Sequence, residues 1–286
     1  MVETRVDPVL GTVVHVVGAR QARPNLPSAG CPFCVGGLEA PDAYDVRSFA
    51  NRWPAMDGER CEVVLYTPTH EASFCSLELA DARKVIDLWA DRTQQLGGRR
   101  DVDYVLVFEN SGSEVGATIA HPHGQIYAYD HVPSRQARRL AGGWAPRGWP
   151  DDGTLGERTI VEKDGWRAWV PFAPTFPIAI EIAPLDQIRD LPSMSSADRD
   201  SLAAMLIDVL GRLERLYERP TPYMMWLNQR PTVADGYDDA WFNVEIVSSW
   251  RDAGVQRFIA AAEVASEEYF NPVVPEEVAQ RLRSVA

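Results

Sequence analysis

Alternating apolar and polar residues give way to apolar residues at helical spacing twice along the chain, each time in the same order. The first cycle opens with EVVLYTPTH (62–70), whose period of two predicts a strand entering a proline-containing turn. LELADARKVIDLWADRTQQLGG (77–98) repeats its apolar residues at helical intervals and ends in glycines, which predicts a helix. DYVLVFEN (103–110) predicts a second strand, SGSEVGAT (111–118) a glycine-containing loop and AHPHGQIYAY (120–129) a third strand. The second cycle has the strand IAIEIAPLDQ (178–187) and the helix SSADRDSLAAMLIDVLGRLERLY (195–217) with its serine and aspartate start signal. The strand PYMMWLNQ (222–229), the loop RPTVADGYDDA (230–240) and the strand WFNVEIVSSW (241–250) follow.

The two cycles agree in order and pattern with little identity, which reads as a duplication of one plan. Residues 1–133 are expected to form an N-terminal half and residues 159–286 a C-terminal half. Residues 134–158, rich in Gly, Pro and charge, read as the connector. If the third strands correspond, His121, His123 and Gln125 match Trp241, Asn243 and Glu245. Only the first half then carries the histidines.

Composition narrows the chemistry. With 286 residues, 45% of them hydrophobic and 24% charged, the chain has ordinary globular character. The opening lacks a basic segment followed by a long apolar run, and no stretch reaches bilayer length, so a cytoplasmic location is expected. A net charge of −13 argues against nucleic-acid binding, while a small nucleotide needs only a few local donors. The four cysteines, Cys31, Cys34, Cys61 and Cys75, do not suggest a disulfide framework in such a chain.

The third strand of the first half departs from a core pattern. On alternating faces His121, His123 and Gln125 point the same way, a polar row that a core would not hold unless something binds there. At least one of these histidines is therefore a candidate nucleophile or metal ligand. CPFC (31–34) is the second signal, and turn residues on both sides suit a zinc knuckle better than a redox pair at a helix start. A tetrahedral site needs two more ligands. His70 and one histidine of the HPH pair are candidates, with Cys61 and Cys75 in competition. An imidazole attacking phosphorus would need donors for the non-bridging oxygens, a task for Gln125, the backbone of the glycine loop and the Thr118 hydroxyl.

HPHGQ preceded by FEN-x-G-x-x-x-G resembles the galactose-1-phosphate uridylyltransferase branch of the histidine-triad superfamily. RVDPVLGTVVHVVGARQARP, CPFC and SFANRWPAM extend the likeness over nearly the whole chain. The resemblance implies an α+β fold of two tandem histidine-triad-like repeats, each an antiparallel sheet with packed helices. It implies a ping-pong nucleotidyltransferase in which His123 attacks the α-phosphate of a nucleotide sugar, UMP being the group carried, and a sugar 1-phosphate discharges the intermediate. Cys31, Cys34, His70 and His121 would hold one structural zinc, and Gln125 would stabilise the intermediate without acting as an acid. Phe49, Asn51 and Trp53 fall at base and ribose positions; Arg20, Arg23, Glu109, Asn110 and Thr118 fall near phosphates and ribose. Arg257, Phe258 and Glu263 in QRFIAAAEV (256–264) match hexose contacts, and family members are similar in forming homodimers whose C-terminal segments complete the partner's sugar pocket.

Two departures stand out. Where some members hold a second metal, this chain reads Arg139, Leu227, Asn243 and Glu245, so no second metal is expected. Ala262 stands where an aromatic often sits, which opens the choice of acceptor sugar. A phosphorylase using inorganic phosphate and a non-catalytic, zinc-stabilised nucleotide-binding protein are the alternatives. The acceptor separates the first from a transferase, and the HPHGQ face counts against the second.

Overall fold

The computed structural model describes residues 2–22, 30–142, 155–233 and 236–286. In chain order its elements begin with β1 (Glu3–Val6), β2 (Val13–Val16), β3 (Arg47–Ala50), β4 (Cys61–Leu65), α1 (Leu79–Gly97), β5 (Tyr104–Ser111) and β6 (His123–Tyr129). Next come α2 (Ser134–Ala141), the single turn α3 (Leu155–Arg158), β7 (Thr159–Lys163), β8 (Trp166–Trp169), β9 (Ile178–Pro184) and α4 (Ser196–Arg215). The chain closes with β10 (Tyr223–Asn228), β11 (Asn243–Ser248), β12 (Trp250–Asp252), β13 (Val255–Gln256), α5 (Ala261–Ser266) and α6 (Pro275–Ser284). The fold is α+β, with the strands and helices that both cycles predict.

Strand pairing departs from the expected pair of sheets. Nine strands form one antiparallel sheet in the order β3-β4-β6-β5-β10-β11-β9-β8-β7, because β5 pairs directly with β10, Met225 opposite Glu109 and Trp226 opposite Phe108. Kept apart, these two strands would each leave a row of backbone donors and acceptors without partners. Joined, they run one ladder through both halves.

One face of this sheet is dry. Helix α1 repeats Ala82, Val85, Ile86, Trp89 and Ala90 along one stripe, and α4 does the same with Leu202, Ala203, Leu206, Val209 and Leu210. Both stripes pack, together with Val278, Ala279 and Leu282 of α6, on the inward residues of the central strands. The start of α4 is fixed by Ser195, whose hydroxyl accepts from the Asp198 amide while the Asp198 carboxylate takes the Ser195 amide.

The other face carries polar chemistry. Along β6 the residues alternate between half-buried and buried, with His123, Gln125, Tyr127 and Tyr129 outward and Gly124, Ile126 and Ala128 inward. The strand starts at His123, later than its sequence pattern suggests, because Pro122 has no amide to give the ladder. His121 therefore lies in the turn before the strand, with its ring fully buried.

Helix α2 occupies the start of the expected connector, while 143–154 lie outside the described residues. It lays Arg135 and Arg139 over the second half's sheet. Both guanidiniums hold the buried Glu245 carboxylate, at 2.7 and 2.8 Å, and Arg139 also reaches Glu181 at 3.6 Å. Asn228 adds a hydrogen bond to Glu245 at 2.8 Å, so Asn228, and not the core residue Leu227, faces this cluster. Replacing Arg139 by Met keeps the volume but leaves two buried carboxylates, opposite each other in register, short of a cation. The variant is expected to lose about 3 kcal/mol in urea unfolding, partly regained by adding Glu245→Gln. Among the described residues no helix is long and apolar enough to cross a membrane.

Candidate functional site

The C-P-F-C turn folds back over its own carbonyls. The Gly37 amide donates to the Cys34 carbonyl at 2.8 Å, and a side chain at Gly37 would press on the carbonyls of Cys31, Pro32 and Cys34. This turn sets the two thiols beside His70, which follows the end of β4, and His121, which precedes β6. The four donor atoms of Cys31, Cys34, His70 and His121 lie within 4.8 Å of one another. Cys34 Sγ is 3.5 Å from His70 Nδ1 and 3.7 Å from His121 Nδ1. A tetrahedral zinc with bonds of about 2.0–2.3 Å separates its donors by roughly 3.3–3.8 Å, so the spacing fits.

The protonation pattern fits as well. His121 Nε2 donates to the Thr67 carbonyl at 2.8 Å, which leaves the Nδ1 lone pair directed at the cysteines. Burial lowers the pKa of His121, holding it in the neutral form a metal needs. Cys61 sits buried within β4 and Cys75 contacts Ser73, so neither competing thiol joins the cluster. These four residues form one structural metal site of the kind zinc takes.

His123 is held from the same turn. Its Nδ1–H donates to the His121 carbonyl at 2.8 Å, which assigns the lone pair to Nε2. Phe33, between the two cysteines, packs edge-on to the His123 ring at 5.0 Å. Two segments of the metal site thus fix the ring, the turn before β6 through the His121 carbonyl and the 31–34 turn through Phe33.

Two cavities meet at His123. The larger, of 640 Å³, is lined by Phe49, Asn51, Trp53, Val63 and Gln125 together with the cysteine turn. The smaller, of 300 Å³, is lined by Glu109, Asn110 and the loop from Ser111 to Ser113 and from Ala117 to Pro122. Thr118 and His123 belong to both. Asn51 Nδ2 donates to Gln125 Oε1 at 3.3 Å, which points the Gln125 amide nitrogen away from Asn51, and Asn51 Oδ1 accepts from the Trp53 amide at 2.9 Å. A Gln125→Ala variant is expected to lose about 100-fold in kcat with little change in donor KM, measured by steady-state kinetics.

Other predicted positions are distributed differently. Arg20 donates to the Tyr127 hydroxyl at 3.4 Å on the same outward face. Arg23 lies outside the described residues. Glu109 borders the smaller cavity, with its side chain on the opposite face of β5 from Phe108. There it is 4% exposed and accepts from the Tyr223 hydroxyl at 2.7 Å. Arg257 and Glu263 form a buried ion pair with each other. Glu263 also takes the amides of Ala260 and Phe270, and Arg257 donates to the Thr175 and Phe270 carbonyls. They brace the C-terminal segment and line neither cavity; Phe258 alone of the three is presented, at 75% exposure.

Sequence reasoning passed over Phe33, Tyr44 and Tyr127. Tyr127 continues the period-two row from His123 and Gln125, and Phe33 is enclosed by the cysteine pair, so both were within reach of the pattern. Tyr44, whose hydroxyl lies 3.0 Å from His121 Nε2, carries no local signal.

Comparison with known proteins gives one consistent result. The model of the galactose-1-phosphate uridyl transferase N-terminal domain matches residues 43–133, and that of the C-terminal domain matches residues 120–286. The galactose-1-phosphate uridylyltransferase of Thermotoga maritima is 33% identical, over 99% of this chain and 98% of that protein. Its counterpart from Streptomyces lividans is 34% identical, over 99% and 87%. A solved uridylyltransferase superposes with a TM-score of 0.88 at 26% identity, covering 100% of this chain and 98% of that one. An ADP-glucose phosphorylase from Arabidopsis thaliana, with ADP-glucose bound, shares the fold at a TM-score of 0.78 and 23% identity, covering 100% and 99%.

Proposed function

This chain belongs to the galactose-1-phosphate uridylyltransferase family, and we propose that it moves a nucleoside monophosphate between a nucleotide sugar and a sugar 1-phosphate through His123. The observation that carries this reading is the His123 ring, hydrogen-bonded through Nδ1 to the His121 carbonyl and standing where two cavities meet. The larger cavity takes the base and ribose against Phe49, Asn51 and Trp53. The smaller takes the leaving and entering sugar phosphate along Asn110, the glycine loop and Thr118.

In the first step His123 Nε2 attacks the α-phosphorus and forms an N–P bond. The bond from that phosphorus to the bridging oxygen breaks, and its electron pair leaves on the sugar 1-phosphate. The His121 carbonyl supports the positive charge that the ring acquires. In the second step a phosphate oxygen of the acceptor attacks the same phosphorus, and the N–P electrons return to Nε2. Neither leaving group needs a proton, which is why an amide at Gln125 suffices. It donates to a non-bridging oxygen, and Arg20 on the same face supplies positive charge. The metal bound by Cys31, Cys34, His70 and His121 holds the turn in place.

UMP is the group carried, in keeping with the named activity of the relatives. The sheet order supports duplication. Reading outward from the β5–β10 junction, β5-β6-β4-β3 is mirrored by β10-β11-β9-β8, so residues 1–133 and 159–286 act as two repeats joined by 134–158. A homodimer is supported by apolar side chains left exposed on the β1–β2 hairpin, at Val6, Val9, Leu10 and Val14. Phe258, Val264 and Phe270 are exposed likewise on the C-terminal segment.

Isotope exchange tests the reading. With UDP-glucose and labelled glucose 1-phosphate as the only substrates, label is expected to enter UDP-glucose. Exchange that requires a second nucleotide or sugar would exclude a ping-pong path, and release of UDP with inorganic phosphate as acceptor would make the enzyme a phosphorylase.

A further inference from the structure

Gly124 of HPHGQ sits with its open side on the buried face of β6, directly above Tyr66. A methyl group there would collide with the Tyr66 hydroxyl and stand 3.0 Å from the ring carbon that bears it. The backbone that carries His123 therefore rests on this phenol. Tyr66 is fully buried, and its hydroxyl lies close enough to the Glu109 carboxyl to feel its charge, without a hydrogen bond between them. Glu109 lies one step past the Phe108–Gln125 pair in the β5–β6 register, beside Gly124. Its Oε1 accepts from Tyr223 of β10 at 2.7 Å, while Oε2 and the Tyr66 hydroxyl, both buried, form no hydrogen bond among the described residues.

We infer that Glu109 is a positioning residue, whose carboxyl, hydrogen-bonded to Tyr223 of the second half, backs Tyr66 of the first and so sets the height of the His123–Gly124 backbone. The inference rests on His123 being the nucleophile. The mechanism itself makes no use of Glu109, and a leucine would fill the same space at less cost in desolvation. What a leucine lacks is a carboxyl set against both hydroxyls at once. If the Tyr66 ring moves, the floor beneath Gly124 moves with it, and small displacements of a nucleophile are costly in rate.

Burial raises the Glu109 pKa to about 7. The groups facing it, Tyr66 and Tyr223 with Cys75 beyond, are all held protonated by the same burial. A small shift of either side chain would let Oε2–H donate to Tyr66 when Glu109 carries its proton, and let the carboxylate accept from Tyr66 as well as Tyr223 when it is ionised. Because the folded-state value lies above the unfolded one, stability is present in full at low pH. It falls as pH rises from about 4.5 to about 7. Glu181, raised by its own burial, adds to the same slope.

Single-turnover nucleotidylation of the full chain, corrected for active fraction by the size of the adduct burst, tests the assignment. Glu109→Ala is expected to slow the step about 10- to 100-fold with donor KM unchanged. Glu109→Gln, which can still accept from Tyr223 and donate to Tyr66, is expected to keep close to the wild-type rate and to flatten part of the stability slope between pH 5 and 7. Gly124→Ala is expected to be slow, and Tyr66→Phe in the same chain to restore part of the rate by removing the colliding oxygen. A Glu109→Ala rate per active site equal to wild type overturns the inference, as does a rise in KM at constant rate, which would mean substrate contact. If Glu109→Ala does not fold, failure of Tyr66→Phe to relieve Gly124→Ala overturns it. A wild-type chain that forms no adduct overturns the nucleophile itself, and this inference with it.

Discussion

A His123→Ala variant is expected to lose at least about 10⁴-fold in nucleotide-sugar exchange while keeping the wild-type unfolding midpoint to within about 0.5 kcal/mol. The large kinetic effect follows from covalent catalysis. Without Nε2 the acceptor must displace the sugar phosphate directly, yet the smaller cavity has to be vacated by one phosphate before the other can enter. The small stability effect follows from the place of the side chain. His123 is half-buried at a cavity edge, and its Nδ1–H donates to a carbonyl of the adjacent turn. The contrasting case would be a variant that retains exchange, which would transfer the nucleophilic role elsewhere.

Removing the metal should act in the opposite proportion. Purified protein is expected to contain one zinc per chain, and either Cys34→Ser or His121→Ala should abolish it and lower Tm by roughly 10–20 °C. Four donors drawn from the 31–34 turn, the segment after β4 and the segment before β6 lie within 4.8 Å of one another, and a metal would bind these three segments together. Activity should fall with the fold, since the His121 carbonyl and Phe33 orient His123. Cys61→Ser and Cys75→Ser serve as controls and should retain zinc. Zinc remaining at one per chain in Cys34→Ser, measured by atomic emission, would refute the ligand set.

Much of this was legible in the chain, for identifiable reasons. The outward row of β6 follows from strand alternation, and the helices α1 and α4 from their apolar stripes. The ligand set of the metal came from resemblance, because His70 and His121 are far from the cysteines in sequence and only the fold brings them together. The merging of two sheets into one was hidden because the β5–β10 ladder is made of backbone bonds, which leave no trace in a local pattern. Helix α2 was read as connector because glycines and prolines follow it closely, although its arginines at 135 and 139 share one face. Alternation also places the Glu109 side chain: Phe108 and Asn110 flank it, so a strand that turns those two outward turns Glu109 inward. The pairing of Arg257 with Glu263 was not legible in sequence, since an ion pair and a polar wall use the same residue types.

The central claim is a covalent nucleotidyl-histidine, and intact-mass measurement addresses it most directly. Zinc-loaded wild type would be incubated separately with UDP-, ADP-, GDP- and dTDP-glucose, beside His123→Ala. A single adduct of the mass of UMP is expected with UDP-glucose, mapped to His123, discharged by a sugar 1-phosphate and absent from the variant. No adduct with any donor on zinc-loaded wild type, or an adduct that persists in His123→Ala, would contradict it.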